Sequence, residues 1–418
     1  MSRSLKVSPQ YIPQVKQAVQ RNRFPRQREL AEDLQLSLST VSSFLNGRPV
    51  DFLNFLEICA RLGQNWQEIA DFEERKDFPS PEIDSELLEI EPESDVPYYI
   101  ERPPVESRCL ATVQQQGSLL RIKASRWMGK TSLIDRILAF AATENYRAIS
   151  LSLLLADGLI LNGLDEFLRW FCVVISRQLG LPAMLDEYWE EGLGSSYNCT
   201  LYFEEYLLSQ INSPLVLAID EVDRIFSASF AGDFLGMLRA WHEKAKSRPL
   251  WQKLRLIVAH STEVYISLDI NHSPFNVGIP IELPEFSAEQ VRGLAQQQGI
   301  TWNAAQVEQI MDCVGGHPHL VQRAIHCLKN QTVSFEELLE TAPTEAGTYS
   351  THLRGHLCNL REHPELAAAM KQVVDATEPV QLESTQAFKL QSLGLAVLER
   401  NAVKPRSRLY AEYFRERL

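Results

Sequence analysis

The chain contains no C-x-x-C pair: its seven cysteines, at 59, 109, 172, 199, 313, 327 and 358, are scattered singly along 418 residues. Such spacing gives neither a zinc ribbon nor a disulfide framework, so free thiols in a reducing compartment are expected. No window reaches the roughly 18 consecutive apolar residues that a membrane-spanning helix requires. The opening stretch MSRSLKVSPQYIPQVKQ also lacks the apolar core of a secretory leader. A cytoplasmic protein with no membrane partner is therefore expected. Basic charge is scarce as well: 41 Lys and Arg stand against 54 Asp and Glu, a formal net charge of -13. That balance disfavours nucleic-acid binding by the whole surface. The deficit is uneven, though. Residues 1–70 hold nine basic and six acidic side chains, whereas residues 73–101 hold two and eleven. Any DNA contact is expected near the N-terminal end.

A chain of this length predicts two to four domains. Residues 1–72 read as short helices. PQVKQAVQRN is helical up to the break at Phe24-Pro25, and RQRELAEDLQL sets Leu30, Ala31 and Leu34 on one face. SLSTVSSFLNG follows, with Ser37 as N-cap, Asn46-Gly47 as the stop, and Leu38, Val41, Phe44 and Leu45 as its buried side. VDFLNFLEICARLG predicts a fourth amphipathic helix ending at Gly63. Residues 73–96, acidic and with three prolines, read as a linker. Beyond them, apolar runs alternate with helical stretches: SLLRI (118–122), RAISLSL (147–153), PLVLAI (214–219), LRLIVA (254–259) and IPIEL (279–283). Continuous apolar strands separated by helices predict a parallel sheet covered on both faces. After Pro284 the chain turns helical through Lys329. Its last stretch predicts two β pieces around RNAV and a terminal helix.

One loop carries most of the chemistry. ASRWMGKTSL (124–133) follows a strand and opens a helix, where a phosphate-binding loop must sit. Gly129 permits close backbone approach, Lys130 suits the β/γ oxygens of a triphosphate, and Thr131 suits Mg²⁺. Ala124 stands where the usual pattern has glycine, which would cost on the order of 1 kcal/mol if positive φ were needed there. Arg126 adds a cation that faces either phosphates or an acidic neighbour. Together Ala124, Arg126, Met128, Gly129, Lys130, Thr131 and Ser132 are the candidate contacts of the loop to ATP. A second element, SPLVLAIDEVDRIF, runs an apolar strand into Asp220-Glu221. Asp220 is the candidate second Mg²⁺ residue, and Glu221 the candidate group that polarises the attacking water. The alternative for Glu221 is a solvated charge at a strand end, and Asp223 reads as a cap or ion-pair partner. A third strand ends in His260-Ser261-Thr262, placing Ser261 and Thr262 as candidate γ-phosphate sensors. CVGGHPHLVQRAI puts Gly315-Gly316-His317-Pro318 at a helix entry, with Pro at the first turn. That is either simply a helix start or a lid over the nucleotide.

YYIERPPVE, ASRWMGKTSL, LAIDEVDRIF, LRAWHEKA, LRLIVAHSTE, NHSPFNVGIPIEL, GGHPHLVQRAI and LQSLGLAVLE followed by RSRLYAEYF resemble, in this order, the AAA-like domain family of STAND-type P-loop ATPases. The resemblance covers residues 97–418. It implies a multidomain α/β protein: a parallel ASCE sheet over 97–285, a helical lid over 286–335 and a C-terminal winged-helix domain over 336–418. It further implies Arg102 and Pro103 near the base end of the nucleotide and His317 and Pro318 near its phosphates. Within this group a non-Gly first loop position is tolerated, which suits Ala124. Arg239 in LRAW is either an intersubunit or γ-phosphate arginine, or a structural ion-pair partner. RELAEDLQLSLSTVSSFLNG resembles the Xre-like helix-turn-helix at the front of bacterial signalling and conflict-system ATPases. That implies a recognition face of Ser39, Thr40, Ser42, Ser43 and Asn46, with Arg21, Arg23, Arg26 and Arg28 towards phosphates of double-stranded DNA. Asn46 alone on that face suits a bidentate base contact, so a protein-binding bundle remains the alternative.

Three functions stay open on the sequence. The first is a slow ATPase switch whose nucleotide state controls self-association or access to protein or DNA partners. The second is an initiator or loader ATPase acting on duplex DNA, and the third a non-hydrolysing scaffold. Intact Lys130, Thr131, Asp220 and Glu221 speak against the third. The acidic balance speaks against the second.

Overall fold

The computed structural model describes residues 99–262 and 276–418, and in the N-terminal unit 4–8, 11–21, 30–31, 38–48, 50–51 and single positions as far as Ile69. Two units separate, Met1–Glu93 and Ser94–Leu418.

In the first unit, β1 (Ser4–Leu5) pairs antiparallel with β2 (Val50–Asp51). Helices α1 (Ile12–Arg21) and α2 (Leu38–Leu45) pack against each other. Val15, Ala18, Val41, Phe44 and Leu45 meet Leu30, Phe55, Ile58 and Leu62 in one apolar core, as the 3.6-residue spacing of α2 requires. The helix stops at Asn46-Gly47. Gly47 adopts φ 66°, and the Asn46 side-chain amide donates to the Ser42 carbonyl at 2.8 Å. One expectation is corrected: Val50 and Asp51 do not open the fourth helix, because they are drawn into the ladder with β1. Helical positions resume at Phe55. Of the expected 26–36 helix, only Leu30 and Ala31 are described, helical and buried. Arg23, Arg26 and Arg28 lie outside the described residues.

The second unit opens with α3 (Val105–Gln114). Its strands are β3 (Leu119–Ala124), β4 (Arg147–Ser152), β5 (Leu215–Asp220), β6 (Leu254–Ser261) and β7 (Ile279–Glu282). They form one parallel sheet in the order β4-β5-β6-β3-β7. Every residue of β5 is buried, which explains why it reads as an unbroken apolar run with no alternation. One face is covered by α4 (Lys130–Thr143), whose Leu133, Ile134 and Ile137 pack with Ile122, Val216 and Ile257. The other face carries α5 (Leu164–Gln178) and α6 (Ala231–Ala245), with Phe167, Phe171, Phe234 and Trp241 in an aromatic core over Leu217 and Leu256. All five strands run parallel, as the apolar runs between helical stretches predict.

After Pro284 the chain is helical: α7 (Ala288–Gln297), α8 (Ala304–Val314), α9 (Pro318–Lys329) and α10 (Phe335–Thr341). Capping boxes at Ser287, Asn303 and Ser334 start three of these helices. Then follow α11 (Ser350–Glu362), α12 (Pro364–Asp375), α13 (Ser384–Ser392), the antiparallel hairpin β8 (Ala396–Glu399) and β9 (Ala402–Pro405), and α14 (Arg408–Arg417). The hairpin and terminal helix fall where the sequence places them. A single apolar core runs from Phe286 to Phe414, so the residues on either side of position 335 pack together.

Candidate active site at the carboxyl end of the sheet

A parallel sheet presents its ligand crevice beyond the carboxyl ends of its strands. Here β3 leads directly into the loop 125–129, and Gly129 turns the chain into α4 with φ 89°. That value lies in the left-handed region, where a side chain is strained. A Cβ on Gly129 would also come within 3.2 Å of the Arg102 guanidinium. Position 129 therefore has to be glycine. Ala124, by contrast, is the last residue of β3 with ordinary strand pairing to Ser261. It needs no positive φ, so the missing first glycine costs the loop nothing.

Lys130 is buried, and its Nζ donates to the carbonyls of Ala124 at 3.2 Å and Ser125 at 3.0 Å. The ammonium thus bridges the two ends of the loop. One residue on, Thr131 Oγ1 donates to Asp220 Oδ2 at 2.6 Å, and Asp220 Oδ1 accepts from the Glu221 amide at 2.8 Å. Asp220 is 4% exposed. A buried carboxylate whose partners are a hydroxyl and an amide keeps a strong demand for positive charge. Hard oxygen donors of this kind suit Mg²⁺ together with phosphate, so the residues present fit the pair.

Glu221 adopts φ 54°, a left-handed conformation that costs a non-glycine residue about 1–2 kcal/mol. Its Oε2 accepts from Ser152 Oγ at 3.0 Å, from the end of the neighbouring strand β4. Burial raises its pKa above the usual glutamate value; the Ser152 bond opposes this, while Asp220 and Asp223 add to it. Asp135, further along α4, is likewise pushed up by burial and by Asp220. Asp223 reaches across to the end of β6, where its Oδ1 accepts from the Ser261 amide at 2.7 Å. Ser261 is buried, and the Thr262 hydroxyl donates to the Ser392 carbonyl at 2.9 Å while lying 3.5 Å from Ser125 Oγ. The two sensor candidates therefore sit at the loop, with Thr262 tied to the end of α13.

Arg102 is also drawn to the loop itself. Its Nη1 donates to the Met128 carbonyl at 2.7 Å, and its guanidinium stacks near Phe286. Arg102 Nε is buried without a partner. Pro103 and Ser132 are exposed. Gly316 packs so tightly on Phe286 that a Cβ would fall 1.9 Å from its carbonyl oxygen. His317 and Pro318 then begin α9 as the N-cap and first turn. His317 is buried, with Nδ1 unpartnered, and burial, with Arg406 nearby, lowers its pKa to about 3. Arg406 pairs with Glu285 at 2.6 Å, tying the residue after β9 to the segment that precedes α7. Arg239 lies on α6 within electrostatic reach of Glu243.

Three participants escaped the sequence reading. Ser152 holds Glu221 from a strand 69 residues upstream. Trp127 at the loop tip, half exposed at 50%, stacks on His319 with ring centroids 4.9 Å apart. His352 lies 5.5 Å from the same indole. Trp127 stood in view in the quoted loop, but its partners are almost two hundred residues or more away. On the proposed DNA face, Thr40, Ser42 and Ser43 are half-buried, and exposed Asn46 accepts from Lys16 Nζ at 3.2 Å. Ser39 and Arg21 are described only as helical backbone.

A family model described as an AAA-like domain matches residues 87–416. No curated protein matches the chain. Among solved structures, a Walker-type ATPase of Pyrococcus abyssi superposes with TM-score 0.53 at 14% identity, covering 76% of this chain and 96% of that one. A signal transduction ATPase with numerous domains and a tetratricopeptide repeat sensor, from Pyrococcus horikoshii, aligns with TM-score 0.36 at 13% identity over 78% of this chain and 43% of its own. The Orc1 protein of Aeropyrum pernix, solved in complex with DNA, aligns with TM-score 0.40 at 12% identity, over 77% of this chain and 93% of that one. Among the described residues, no helix is long and apolar enough to cross a membrane.

Proposed function

The chain belongs to the AAA-like domain family, and from that premise we propose that it is an ATP-hydrolysing molecular switch, one whose nucleotide state governs self-association or access to a partner in regulation or defence signalling. The observation that carries this reading is the 2.6 Å contact of Thr131 with Asp220 beside the buried Lys130. Gly129, Lys130 and the first amides of α4 bind the phosphates, Lys130 exchanging its two loop carbonyls for phosphate oxygens. Thr131 and Asp220 would hold Mg²⁺, which when bound would supply positive charge against the phosphate oxygens. Glu221 accepts the proton of the attacking water. Its raised pKa strengthens it as a base at neutral pH. Arg102, Met128, Ser261, Thr262, His317 and Pro318 complete the pocket.

The test is steady-state phosphate release with Mg²⁺. Asp220→Asn and Lys130→Ala should each bring turnover to background in a protein that remains folded. Turnover equal to wild type in either variant would remove the assignment.

The order α12, α13, β8–β9, α14 supports a winged-helix domain, and helical Leu30 and Ala31 followed by α2 support a helix-turn-helix in residues 1–72. The C-terminal basic residues speak for a protein-facing surface: Lys404, Arg406, Arg408 and Arg417 pair with Glu399, Glu285, Asp312 and Glu345. Cations already paired contribute little to the counterion release on which DNA affinity depends. DNA contact is therefore assigned to residues 1–72 alone.

A further inference from the structure

Trp127 is a residue of the phosphate loop that the proposed reaction does not use. It holds φ 56°, a conformation that a bulky residue keeps only when its surroundings over-determine it. Those surroundings come from two separate elements. His319, the second residue of α9, stacks on the indole at 4.9 Å with 29° between the ring planes. His352, near the start of α11, lies against it at 5.5 Å. His352 is anchored in turn: its Nε2 is 2.8 Å from the hydroxyl of Tyr410 on α14. A single indole thus touches the lid helix and the C-terminal helices from the tip of the loop that faces the phosphates. Burial lowers the pKa of His319 to about 4, so near neutrality its ring is uncharged and suited to face-on stacking. Trp127 keeps half its surface exposed, more than filling the core would require.

We propose that Trp127 is a positioning residue that latches the phosphate loop to the lid and the C-terminal helices and thereby slows nucleotide release. The inference rests on the reading of the loop as a nucleotide site. Nucleotide leaves when α9 lifts from the loop, and lifting α9 parts the stack. Parting it also frees Trp127 from the contacts that hold its backbone in the left-handed region. Release and movement of the C-terminal helices are then one event, the coupling a switch requires.

The experiment is displacement of N-methylanthraniloyl-ADP by excess unlabelled ADP from the full chain, followed by stopped-flow fluorescence. Trp127→Ala and His319→Ala should each accelerate release about three- to tenfold, the range that one aromatic pair spans. Trp127→Phe, which keeps a ring, should stay within about twofold of wild type. The double variant should release no faster than the quicker single one, because both remove the same contact. General loosening of the fold would instead give additive effects and would not spare the phenylalanine variant. Unchanged release in Trp127→Ala, or additivity in the double variant, overturns the latch while leaving nucleotide binding intact. Failure of the wild type to take up the labelled ADP overturns the latch and the nucleotide reading together.

Discussion

Glu221→Gln separates binding from chemistry more cleanly than any other change at this site. Glutamine retains the length of glutamate and can still accept from Ser152 Oγ, which lies 3.0 Å from Oε2. The left-handed turn at residue 221 and the hydrogen bond that its N–H donates to Asp220 Oδ1 do not involve the Glu221 side chain and survive the change. Binding of ATP, which depends on Lys130, Thr131 and Asp220, should therefore stay within about twofold of wild type. Turnover should not survive. An amide cannot take a proton from water, and loss of a positioned general base costs about 10²- to 10⁴-fold, or roughly 2.7–5.4 kcal/mol in the barrier. The pH profile gives a second check. Burial holds the Glu221 pKa above the ordinary glutamate value, and only the deprotonated form is active. The wild-type rate should thus fall as pH drops through that raised value, at a higher pH than an exposed glutamate would give. The assay is phosphate release across pH, paired with equilibrium binding of a fluorescent ATP analogue. A Glu221→Gln protein that hydrolyses ATP at the wild-type rate would refute the base assignment, whatever its binding shows.

Gly129→Ala should weaken nucleotide binding by about tenfold or more in the same titration, since positive φ alone costs a non-glycine residue about 1–2 kcal/mol and the new methyl meets Arg102 at 3.2 Å. Gly316→Ala should lower the melting temperature, read by calorimetry, because its Cβ would sit 1.9 Å from the Phe286 carbonyl and overpacking of this kind costs about 1–3 kcal/mol. Burial depresses His317 to about 3 and His319 and His356 to about 4, and lowers His352 as well, with Arg406, Arg323 and Arg126 among the neighbours adding to the effect. Below the unfolded value of about 6.5 the unfolded chain takes up protons that these folded histidines refuse. Stability is therefore complete above that pH and falls by about 1.4 kcal/mol per group per pH unit towards pH 4; a melting temperature flat from pH 7 to 5 would contradict this. Removing residues 1–72 should lower DNA retention in a low-salt shift assay, and full-length protein that retains no DNA would make that unit a protein-binding module.

The sheet was legible because β5 is buried at every residue and β6 at all but one, so both read as apolar runs, and because Gly129-Lys130-Thr131 and Asp220-Glu221 follow two of the strands in recognisable ways. Their meeting at 2.6 Å depends on the order β5-β6-β3, in which β6 lies between the two strands rather than the two being direct neighbours. The doubt over Ala124 also resolves locally, since its backbone is plain strand. What the sequence hid is non-local. Nothing in RAISLS marks Ser152 as the partner of a carboxylate on the next strand, and nothing near His352 announces an indole in a loop more than two hundred residues earlier. Val50-Asp51 misled for a related reason: a short apolar-acidic pair suits a helix start until a distant β1 claims it for a ladder. Tertiary pairing overrode local propensity there.

Every step proposed for this site depends on the loop 124–131 holding a nucleotide through Lys130. Equilibrium titration of the full chain with N-methylanthraniloyl-ATP in Mg²⁺, wild type against Lys130→Ala, tests it most directly. Saturable binding is expected for the wild type and roughly 10- to 150-fold weaker binding for the variant, the range that corresponds to about 1.5–3 kcal/mol for a hydrogen bond to a charged group. Equal affinity in the two proteins, or no binding by the wild type, would contradict it.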